Sequence, residues 1–568
     1  MQFRVIERKR TALEPKPELE ATPHFLTDKE QKAVGVGRGC AYYGSADSYD
    51  SRCRSCKPRF IKLLPIFFFL AACTKQSQYP TLTQQQMRED FEYTMQVLYD
   101  VGTSFHTKEL LTGINPFDEA RRVFEENIDT VTTFEGFYGV MHRVLCCMCD
   151  QHTGLNPPHS YAMHIPDDVK KKNEALWEWA MDYIYGFSIK YIDGRYFVVD
   201  TMFFNDVPLD FGARDFRNHI VDTLPAGTEI LGMNGYDMRW FESQKINDKT
   251  RWNVNDRRYV ISSIFDPYYY GIQGDGILHI RRPNSSEVQY LNNAKNYAWS
   301  VGLRYQDHEV FKLDVFPNDV LYIRIPKMDN KEFEPVISKL KQMRGFKPSK
   351  VIVDVRNNGG GSDFVWHKLL AMLLPDTMRA ERLMVVRRSA AVDAGLKSDS
   401  YYANFYAKET PITERPMFKH KLLPENVEFA LYSDKALIIA PDSASLRYDG
   451  PVYLLLDDRC YSSTLNFLAA FGQHPQCVSV GEPTGWYGGA GLNPFCFCMP
   501  NSQLTFCVEA IADMTNVANP EDLLHDRVKV EIVPSIAERA RANAYTGQRY
   551  SYEYMSQHDT VFKYVMAQ

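Results

Sequence analysis

Residues 451–470, PVYLLLDDRCYSSTLNFLAA, contain the pattern that decides the fold. The run from Val452 to Leu456 is continuously apolar, which is typical of a strand buried on both faces in a parallel sheet. Residues 464–472 are predicted to form a helix directly afterwards. Ser462 therefore lies at a strand–helix junction, where a hydroxyl is exposed at the sheet edge and the helix N-terminus favours developing negative charge.

The alternation of strand and helix continues on both sides of this segment. Strand-like runs occur in VLYIRIP, VIVDV and CVSVGEP, and helix-like stretches cover residues 333–343 and 363–374. Strands that alternate with helices indicate a largely parallel sheet and the α/β fold class. We expect this α/β core to span residues 319–540, with a less regular, charge-rich insertion at 385–447.

Two further units are predicted upstream, as the length of 568 residues suggests. Thr83 can cap a helix, and apolar residues recur at helical spacing up to the stretch CDQHTGLNPP, where glycine and prolines stop the helix. Residues 85–160 therefore form a predicted N-terminal helical domain that carries His152 at a helix end. The whole chain is interpreted as an α+β multidomain protein.

Residues 187–295 are predicted to form a β-rich module. SIKYIDGRYFVVD places Asp193-Gly194 between alternating apolar residues, which is a strong hairpin signal. LPAGTEILGMNG, residues 224–235, resembles the PDZ pattern of a glycine-containing turn, a strand and a terminal Asn-Gly. PDZ-like modules bind extended peptides by adding them to a sheet edge.

The segment KPRFIKLLPIFFFLAAC, residues 57–73, has a basic start, a short apolar run and small residues before a cysteine. The apolar run is shorter than the ~20 residues that a spanning helix needs, so the pattern indicates a secretory signal. Its end resembles a bacterial lipoprotein signal, in which Cys73 is lipidated and anchors the protein to a membrane of the cell envelope. A buried core segment is the alternative. Residues 1–56 are interpreted as an upstream extension that is not part of the functional protein.

The composition excludes some classes of function. The net charge of −6, with no basic run in the folded portion, argues against nucleic acid as a partner. Cys146, Cys147 and Cys149 crowd one apolar stretch and are expected to be buried thiols outside any disulfide. Cys496 and Cys498 are predicted to lie on a strand. We expect no metal and no organic cofactor.

Three segments carry the residue types that a serine hydrolase needs. The N–H of Ser463 follows Ser462 and is placed to donate to an oxyanion. The glycines of VIVDVRNNGGGS, residues 351–362, let backbone N–H groups approach a ligand closely and supply a second donor. His152 can act as the general base. Singly, these residues are also explained as a helix cap, a turn or phosphate loop, and a capping histidine.

Their order along the chain resembles that of the carboxyl-terminal-processing (tail-specific) serine proteases. VIVDVRNNGGGS, CYSSTLNFLAA and VGEPTG match the family's three motifs, and the resemblance covers roughly residues 85–540. It implies a ClpP/crotonase-like α/β core and a peptide or protein substrate. It also implies Ser462 as the nucleophile, with oxyanion-hole N–H groups from Ser463 and from Gly359 or Gly360.

The general base departs from the common pattern of this family. Many members place a Lys shortly after Gly-Glu-Pro-Thr, but Tyr487 occupies about that position here, and a phenol with a pKa near ~10 is no base at neutral pH. The tricorn-like, retinoid-binding-protein-like branch uses a His from the helical region, and CDQHTGL resembles its motif. His152 is therefore the inferred base.

A histidine base needs an orienting partner. Gln151 stands where the branch has a Ser that relays to a late Glu. Asp150, Glu509 and Glu521 all remain candidates for the carboxylate, with Asp150 interpreted as more structural than catalytic.

Two rival functions compete with a serine endopeptidase of the cell envelope. A catalytically inactive peptide-binding lipoprotein could share the fold, since the family's Lys and relay Ser are both absent. A metal-dependent hydrolase using His152 and His159 is less favoured, because a spacing of seven residues through prolines lacks the geometry of paired helical ligands.

Overall fold

The computed structural model describes residues 80–155, 165–182, 187–199, 202–205, 220–244, 250–253, 255–261, 264–265, 277–292, 297–298, 310–398, 412–419, 421–424, 427–433, 435–484, 494–515, 517–523, 528–545 and 547–568. Across these ranges, helices and sheets form a mixed α/β multidomain fold. No helix within them is both long enough and apolar enough to cross a membrane.

The N-terminal part of the described chain is helical. Its helices are α1 (Gln84–Val101), α2 (Phe105–Thr112), α3 (Pro116–Asn127), α4 (Phe134–Cys146) and α5 (Asp167–Asp182), with a 3-10 turn at Ile128–Thr130. Thr83 caps α1 in a capping box with Gln86, so the helix begins where the sequence predicts. Phe91 and Phe124 stack at 3.8 Å between ring centroids and join α1 to α3 in the core.

The described residues between 187 and 298 are β-rich and are called the β module. The strands are β1 (Phe187–Ile192), β2 (Arg195–Val198), β3 (Met202–Asn205), β4 (Ile220–Leu224), β5 (Glu229–Met233), β6 (Tyr236–Asp237), β7 (Thr250–Asn253), β8 (Arg258–Ile261), β9 (Ile264–Phe265), β10 (Ile277–Arg281), β11 (Gln289–Asn292) and β12 (Tyr297–Ala298), and one helix is α6 (Met238–Ser243). The main sheet has the order β11-β10-β5-β2-β1-β9. The predicted hairpin is confirmed, because β1 and β2 pair antiparallel around Asp193 and Gly194.

The described residues from 310 onwards form the α/β core. Its strands are β13 (Lys312–Phe316), β14 (Val320–Arg324), β15 (Lys350–Asp354), β16 (Met378–Ala380), β17 (Met384–Arg387), β18 (Phe429–Ser433), β19 (Leu437–Ile439), β20 (Val452–Leu456), β21 (Cys477–Gly481), β22 (Phe495–Cys498), β23 (Thr505–Val508), β24 (Ile511–Asp513) and β25 (Val530–Glu531). Its helices are α7 (Asn330–Gln342), α8 (Phe364–Leu373), α9 (Ala390–Ser398), α10 (Pro416–Lys419), α11 (Ser463–Phe471), α12 (Ile536–Ala544), α13 (Tyr552–His558) and α14 (Thr560–Met566), with 3-10 turns at Ile412–Glu414 and Pro520–Leu523.

A six-stranded sheet of order β13-β14-β15-β20-β21-β25 organises this core. The first pair is antiparallel and the four pairs from β14 to β25 are parallel, as the apolar runs predict. Apolar clusters cover both faces of the sheet. Because β15 and β20 are parallel neighbours, the loops that follow them emerge side by side at one edge.

The region predicted as an irregular insertion, residues 385–447, contains regular elements where it is described. β17 pairs with β18 and with β24, forming a three-stranded sheet beside the main one. The hairpin β22–β23 packs with the N-terminal helices in one continuous apolar cluster. The helical part of the chain is thereby attached directly to the α/β core.

A buried charge cluster lies at the end of β15, directly before the glycine loop. Both oxygens of Asp354 are engaged, Oδ1 by Arg324 at 3.2 Å and Oδ2 by Arg356 at 2.6 Å and by the Tyr322 hydroxyl at 2.8 Å. Asp354 and Arg324 are fully buried. Arg356 also reaches Asp559 at 2.7 Å, which connects the C-terminal helices to the start of the loop.

Asp354→Ala is expected to destabilise the fold by about 3–5 kcal/mol, because it leaves a buried guanidinium without its carboxylate. Urea unfolding followed by circular dichroism measures the change. Asp314→Ala, at an exposed position of β13, is the matched control and is expected to change stability by less than about 0.5 kcal/mol. Equal stability of the two variants would contradict a structural role for the Asp354 cluster.

Candidate active site

Ser462 is the last residue of the junction between β20 and α11, at the N-cap position of the helix. Its backbone has φ 54° and ψ −124°, a conformation that is favourable for glycine and strained for serine, with a cost of order 1–3 kcal/mol. The strain is held by neighbours, since the Tyr461 N–H donates to the Asn358 carbonyl at 3.1 Å and Leu465 N–H to the Ser462 carbonyl at 2.8 Å. The turn directs the Ser462 side chain towards His152.

The glycine loop lies directly against Ser462. A Cβ on Gly360, which has φ 108°, would stand 2.6 Å from the Ser462 Cβ and 2.9 Å from the Tyr461 carbonyl oxygen. The loop is anchored on its other side, because Met328 N–H donates to the Gly360 carbonyl at 2.8 Å and Ser362 N–H to the Met328 carbonyl at 2.7 Å. Glycine is therefore required at 360 both for its φ and for the close approach.

The predicted oxyanion-hole donors differ in their surroundings. Ser463 is the first residue of α11, where the helix offers its N–H no acceptor of its own. Gly359 is exposed at the tip of the loop. The Gly360 N–H donates to Asn358 Oδ1 at 2.9 Å, so it is engaged within the loop. The roles of Ser463, Gly359 and Gly360 stay predictions. Of the two glycines, Gly359 is the one whose N–H does not take part in this hydrogen bond to Asn358.

His152 lies in the turn that follows α4, and four contacts fix the backbone of residues 151–154. Asp150 Oδ1 accepts the His152 N–H at 2.7 Å, and the Tyr461 hydroxyl accepts the Gln151 N–H at 3.1 Å. Gly154 and Cys507 exchange two backbone hydrogen bonds at 2.9 and 3.1 Å. The His152 ring consequently reaches across from the helical part, and its Nε2 lies 3.1 Å from the Ser462 Oγ.

Glu509 is the carboxylate that contacts the imidazole. Its Oε2 lies 2.6 Å from His152 Nδ1, and its side chain is only 1% exposed. Of the other two candidates, Asp150 binds the backbone of His152, and Glu521 lies in the 3-10 turn at Pro520–Leu523. The chain Ser462–His152–Glu509 therefore has the hydrogen-bond connections of a nucleophile, a base and an orienting carboxylate.

Further polar contacts hold the Glu509 backbone. The Glu509 N–H donates to Thr153 Oγ1 at 3.1 Å, and Thr103 Oγ1 donates to the Ala510 carbonyl at 2.7 Å. Thr153, Thr103 and Tyr461 were not identified from the sequence, because nothing in their local pattern separates them from ordinary turn and core residues.

Burial and mutual contact shift the pKa values of both His152 and Glu509. The pKa of Glu509 is raised to about 7, mainly by burial and in part by the charge of Asp150, against the opposing hydrogen bond and charge of His152. Burial lowers the pKa of His152, but the hydrogen bond and charge of Glu509 outweigh it, so the pKa is raised overall. The two groups hold a shared proton more tightly than an isolated imidazole would.

Lys108 is a buried cation beside this pair that the sequence analysis did not identify. Its side chain is 1% exposed, and its Nζ donates to the Cys149 carbonyl at 2.7 Å and to the Met148 carbonyl. Burial lowers its pKa, opposed by the charges of Asp150, Cys149 and Glu509. Lys108 thus binds two backbone carbonyls of the segment that leads into His152. The sequence did contain a signal for its burial. Lys108 lies three residues after Phe105 and three before Leu111, which is the helical spacing of the core-facing side of α2.

Asp150, His152 and Glu509 also present donor atoms within 4.8 Å of one another, the spacing of a metal site. However, His152 Nδ1 and Glu509 are already hydrogen-bonded to each other, and Asp150 Oδ1 accepts a backbone N–H. His152 Nδ1 and Glu509 Oε2 are therefore used by each other, whereas Asp150 Oδ2 has no hydrogen-bond partner among the described residues. His159, Tyr487 and Cys73 lie outside the described residues.

Comparisons with known proteins identify a family domain in the α/β core. Residues 319–513 match the sequence model of Peptidase family S41. No curated protein sequence matches the chain. Among solved structures, mature CPAF complexed with lactacystin is 13% identical, with 85% of this chain and 98% of that chain covered and a TM-score of 0.51. Mature CPAF alone is 12% identical, with 85% and 97% covered and a TM-score of 0.50.

The photosystem II D1 C-terminal processing protease is 14% identical, with 82% of this chain and 98% of that chain covered and a TM-score of 0.36. The α/β core thus contains a Peptidase family S41 domain, and the CPAF structures share its fold. This domain supports a serine peptidase hydrolase acting on peptide or protein substrates.

Glu509→Gln is expected to lower kcat by about 10²–10⁴, because the imidazole loses the carboxylate that orients it and stabilises its charged form. The acid limb of the pH profile is expected to move to lower pH, since Glu509 is what raises the pKa of His152. Peptide hydrolysis from about pH 5 to 9 measures both effects. Glu521→Gln is the control, and an effect of Glu521→Gln matching that of Glu509→Gln would contradict the assignment.

Lys108→Met is expected to move the acid limb in the opposite direction, to higher pH, because the lost cation lies in the field of Glu509 and Asp150. Stability is expected to fall by about 2–3 kcal/mol, since two carbonyls lose a charged donor. Lys171→Met, at an exposed position of α5, controls for loss of a lysine. Lower stability with an unchanged pH profile would restrict Lys108 to a structural role.

Proposed function

We propose that this protein is a serine endopeptidase in which Ser462 is the nucleophile, His152 the general base and Glu509 the orienting carboxylate. The observation that carries the proposal is the chain of contacts at 3.1 and 2.6 Å that links these three side chains. They come from three separate parts of the sequence, and Ser462 and Glu509 lie within the matched family domain. Structural packing alone gives no reason for such an arrangement beside a strained serine.

The reaction follows from the positions of the donors and acceptors. His152 Nε2 takes the proton of the Ser462 hydroxyl as its oxygen attacks the peptide carbonyl, and the Nδ1–H donates to Glu509 throughout. Backbone N–H groups at Ser463 and Gly359 receive the oxyanion, and each such donor contributes about 10²–10³ to the rate. His152 then protonates the leaving amine, and water activated by the same ring releases the acyl group.

The β module is proposed to bind extended peptide. Its main sheet ends in β11 on one side and β9 on the other among the described strands, and strand edges accept peptides by backbone pairing. Tyr290 on β11 is 51% exposed, as a peptide-contacting aromatic would be. The PDZ-like pattern at residues 224–235, which contains β5 of the same sheet, supports this role.

The β module also contacts the segment that leads to the nucleophile. Lys190 of β1 is buried and bridges Asp458, at 2.6 Å, and Glu482. Asp458 is four residues before Ser462, and Glu482 belongs to the Gly-Glu-Pro-Thr motif. Glu482 is further paired with Arg539 at 2.6 Å. A peptide that shifts β1 would therefore act on a network that adjoins the active site.

The location of the protein is proposed from residues 57–73. Their basic start, short apolar run and terminal cysteine support export and lipidation of Cys73. Proteins or peptides of the cell envelope are the corresponding substrates. Mass spectrometry of the mature N-terminus tests this directly, and a mature form that retains residues before Cys73 would contradict it.

Hydrolysis of an unfolded protein substrate tests the catalytic proposal. The chain that begins after Cys73 is expected to cleave it, and Ser462→Ala and His152→Ala are each expected to lower kcat by about 10⁴ or more. Ser556→Ala and His474→Ala, on α13 and after α11, are controls expected to retain activity. Covalent labelling by a fluorophosphonate should require Ser462.

The outcomes separate the proposal from its rivals. Cleavage that survives Ser462→Ala would overturn the nucleophile. Absence of both cleavage and labelling in the wild-type protein, together with peptide binding, would favour the inactive peptide-binding lipoprotein. Inhibition by a chelator that added zinc reverses would favour the metal-dependent hydrolase.

A further inference from the structure

Two cysteines face each other across the hairpin that leads to Glu509. Cys496 of β22 and Cys507 of β23 are direct cross-strand partners. The N–H and C=O of Cys507 are both bonded to Gly154, on the other side of β23. In an antiparallel pair both groups of a residue point to the same side, so Cys496 and Cys507 form a non-hydrogen-bonded pair. Cα atoms in such pairs are about 4.5 Å apart, within the range that a disulfide spans.

The two thiols already contact each other. Cys496 and Cys507 are 1% and 0% exposed and pack with Ile165 and Val169 in one apolar cluster. Their thiols are hydrogen-bonded, and this contact, together with burial, raises the pKa of the Cys507 thiol well above its usual value. The two thiols therefore lie within hydrogen-bond distance of each other.

We propose that Cys496 and Cys507 are a redox pair that forms a cross-strand disulfide. One thiolate attacks a small-molecule or protein disulfide and releases half of it as a thiol. The second thiolate then displaces the other half, and the S–S bond joins the two strands. Two electrons and two protons pass from the cysteines to the oxidant. Export, as in the proposed function, would place the protein in an oxidising compartment, which favours disulfide formation. The geometry of the two cysteines does not depend on export.

The bond would staple the hairpin that leads to Glu509 and pairs with the segment carrying His152. Cys507 pairs with Gly154, two residues after His152, and precedes Glu509 by two residues. A covalent bond from β22 to Cys507 restricts the strand that positions both the base segment and the carboxylate. The consequence for catalysis rests on the proposed function, whereas formation of the bond does not.

Chemical cleavage at methionine maps the bond. Cleavage after Met499 places Cys496 on the fragment 418–499 and leaves Cys507 as the one cysteine of the next fragment, which begins at residue 500. The chain that begins after Cys73 is oxidised with glutathione disulfide, its remaining thiols are alkylated under denaturing conditions, and the fragments are analysed by mass spectrometry without reduction. The two fragments are expected to be linked, and dithiothreitol should separate them.

Variants identify the partner of Cys507. Cys498, half-buried on the same strand two residues from Cys496, provides the matched control. The link is expected to persist in Cys498→Ala and to disappear in Cys496→Ala. No link in the wild-type protein, or a link lost in Cys498→Ala and kept in Cys496→Ala, would overturn the proposal.

Thermal unfolding tests the staple. The oxidised wild-type protein and Cys498→Ala are expected to have a Tm at least about 3 °C above their reduced forms, with no such difference in Cys496→Ala or Cys507→Ala. A Tm unchanged or lowered by the mapped disulfide would overturn its role as a staple. Because these measurements need no activity, failure of the proposed protease function would leave their result interpretable.

Discussion

Two backbone hydrogen bonds between Gly154 and Cys507 join the segment that carries His152 to the strand that leads to Glu509. Without this pairing, base and carboxylate would belong to separate parts of the chain, each packed on its own surroundings. With it, the turn after α4 becomes an added edge of the hairpin β22–β23. The imidazole is then located relative to Glu509 by strand geometry, which tolerates little displacement because every side chain position follows from the pairing register.

The pairing is costly to maintain, because it concentrates charge in the interior. Asp150, Glu509 and Lys108 are all about 1% exposed. A buried charge needs partners, and removal of one leaves the others uncompensated. Here the partners are backbone groups as much as opposite charges, since Asp150 accepts the His152 N–H and Lys108 binds two carbonyls. Fixed groups of this kind need not reorganise when His152 becomes charged, which is what a preorganised catalytic site requires.

Much of the α/β core could be predicted from the sequence. The apolar runs at β14, β15, β20 and β21 have the continuous hydrophobicity of strands covered on both faces, and the structure shows them as parallel neighbours. Ser462 could be located because a strand, a polar junction and a helix follow one another within twenty residues. The capping of α1 at Thr83 and the hairpin at Asp193-Gly194 were likewise readable, since both depend on local backbone chemistry.

The remainder depends on contacts between residues far apart in sequence. Glu509 could not be distinguished from Glu521 or Asp150, because the distinction is which carboxylate reaches Nδ1 across 357 positions. The contacts of Lys108 and Tyr461 could not be predicted for the same reason, because their partners lie 41 and 310 positions away in the sequence. Lys190 resembles any exposed lysine of a β-hairpin until the α/β core covers it.

Ser462 and Gly360 show how the strain at the nucleophile is maintained. A non-glycine residue at φ 54° and ψ −124° relaxes unless its surroundings prevent it. On one side, the Gly360 backbone lies so close to Ser462 that a Cβ at 360 would overlap the Ser462 Cβ. On the other side, α11 holds the Ser462 carbonyl through Leu465 and Asn466 N–H groups at 2.8 and 3.0 Å. The glycine loop is itself fixed by Met328 and, through the preceding Asp354 cluster, by the C-terminal helices. The position of the Ser462 hydroxyl therefore depends on the completed fold. In a partly folded chain, Ser462 would not be held in the geometry that a nucleophile needs.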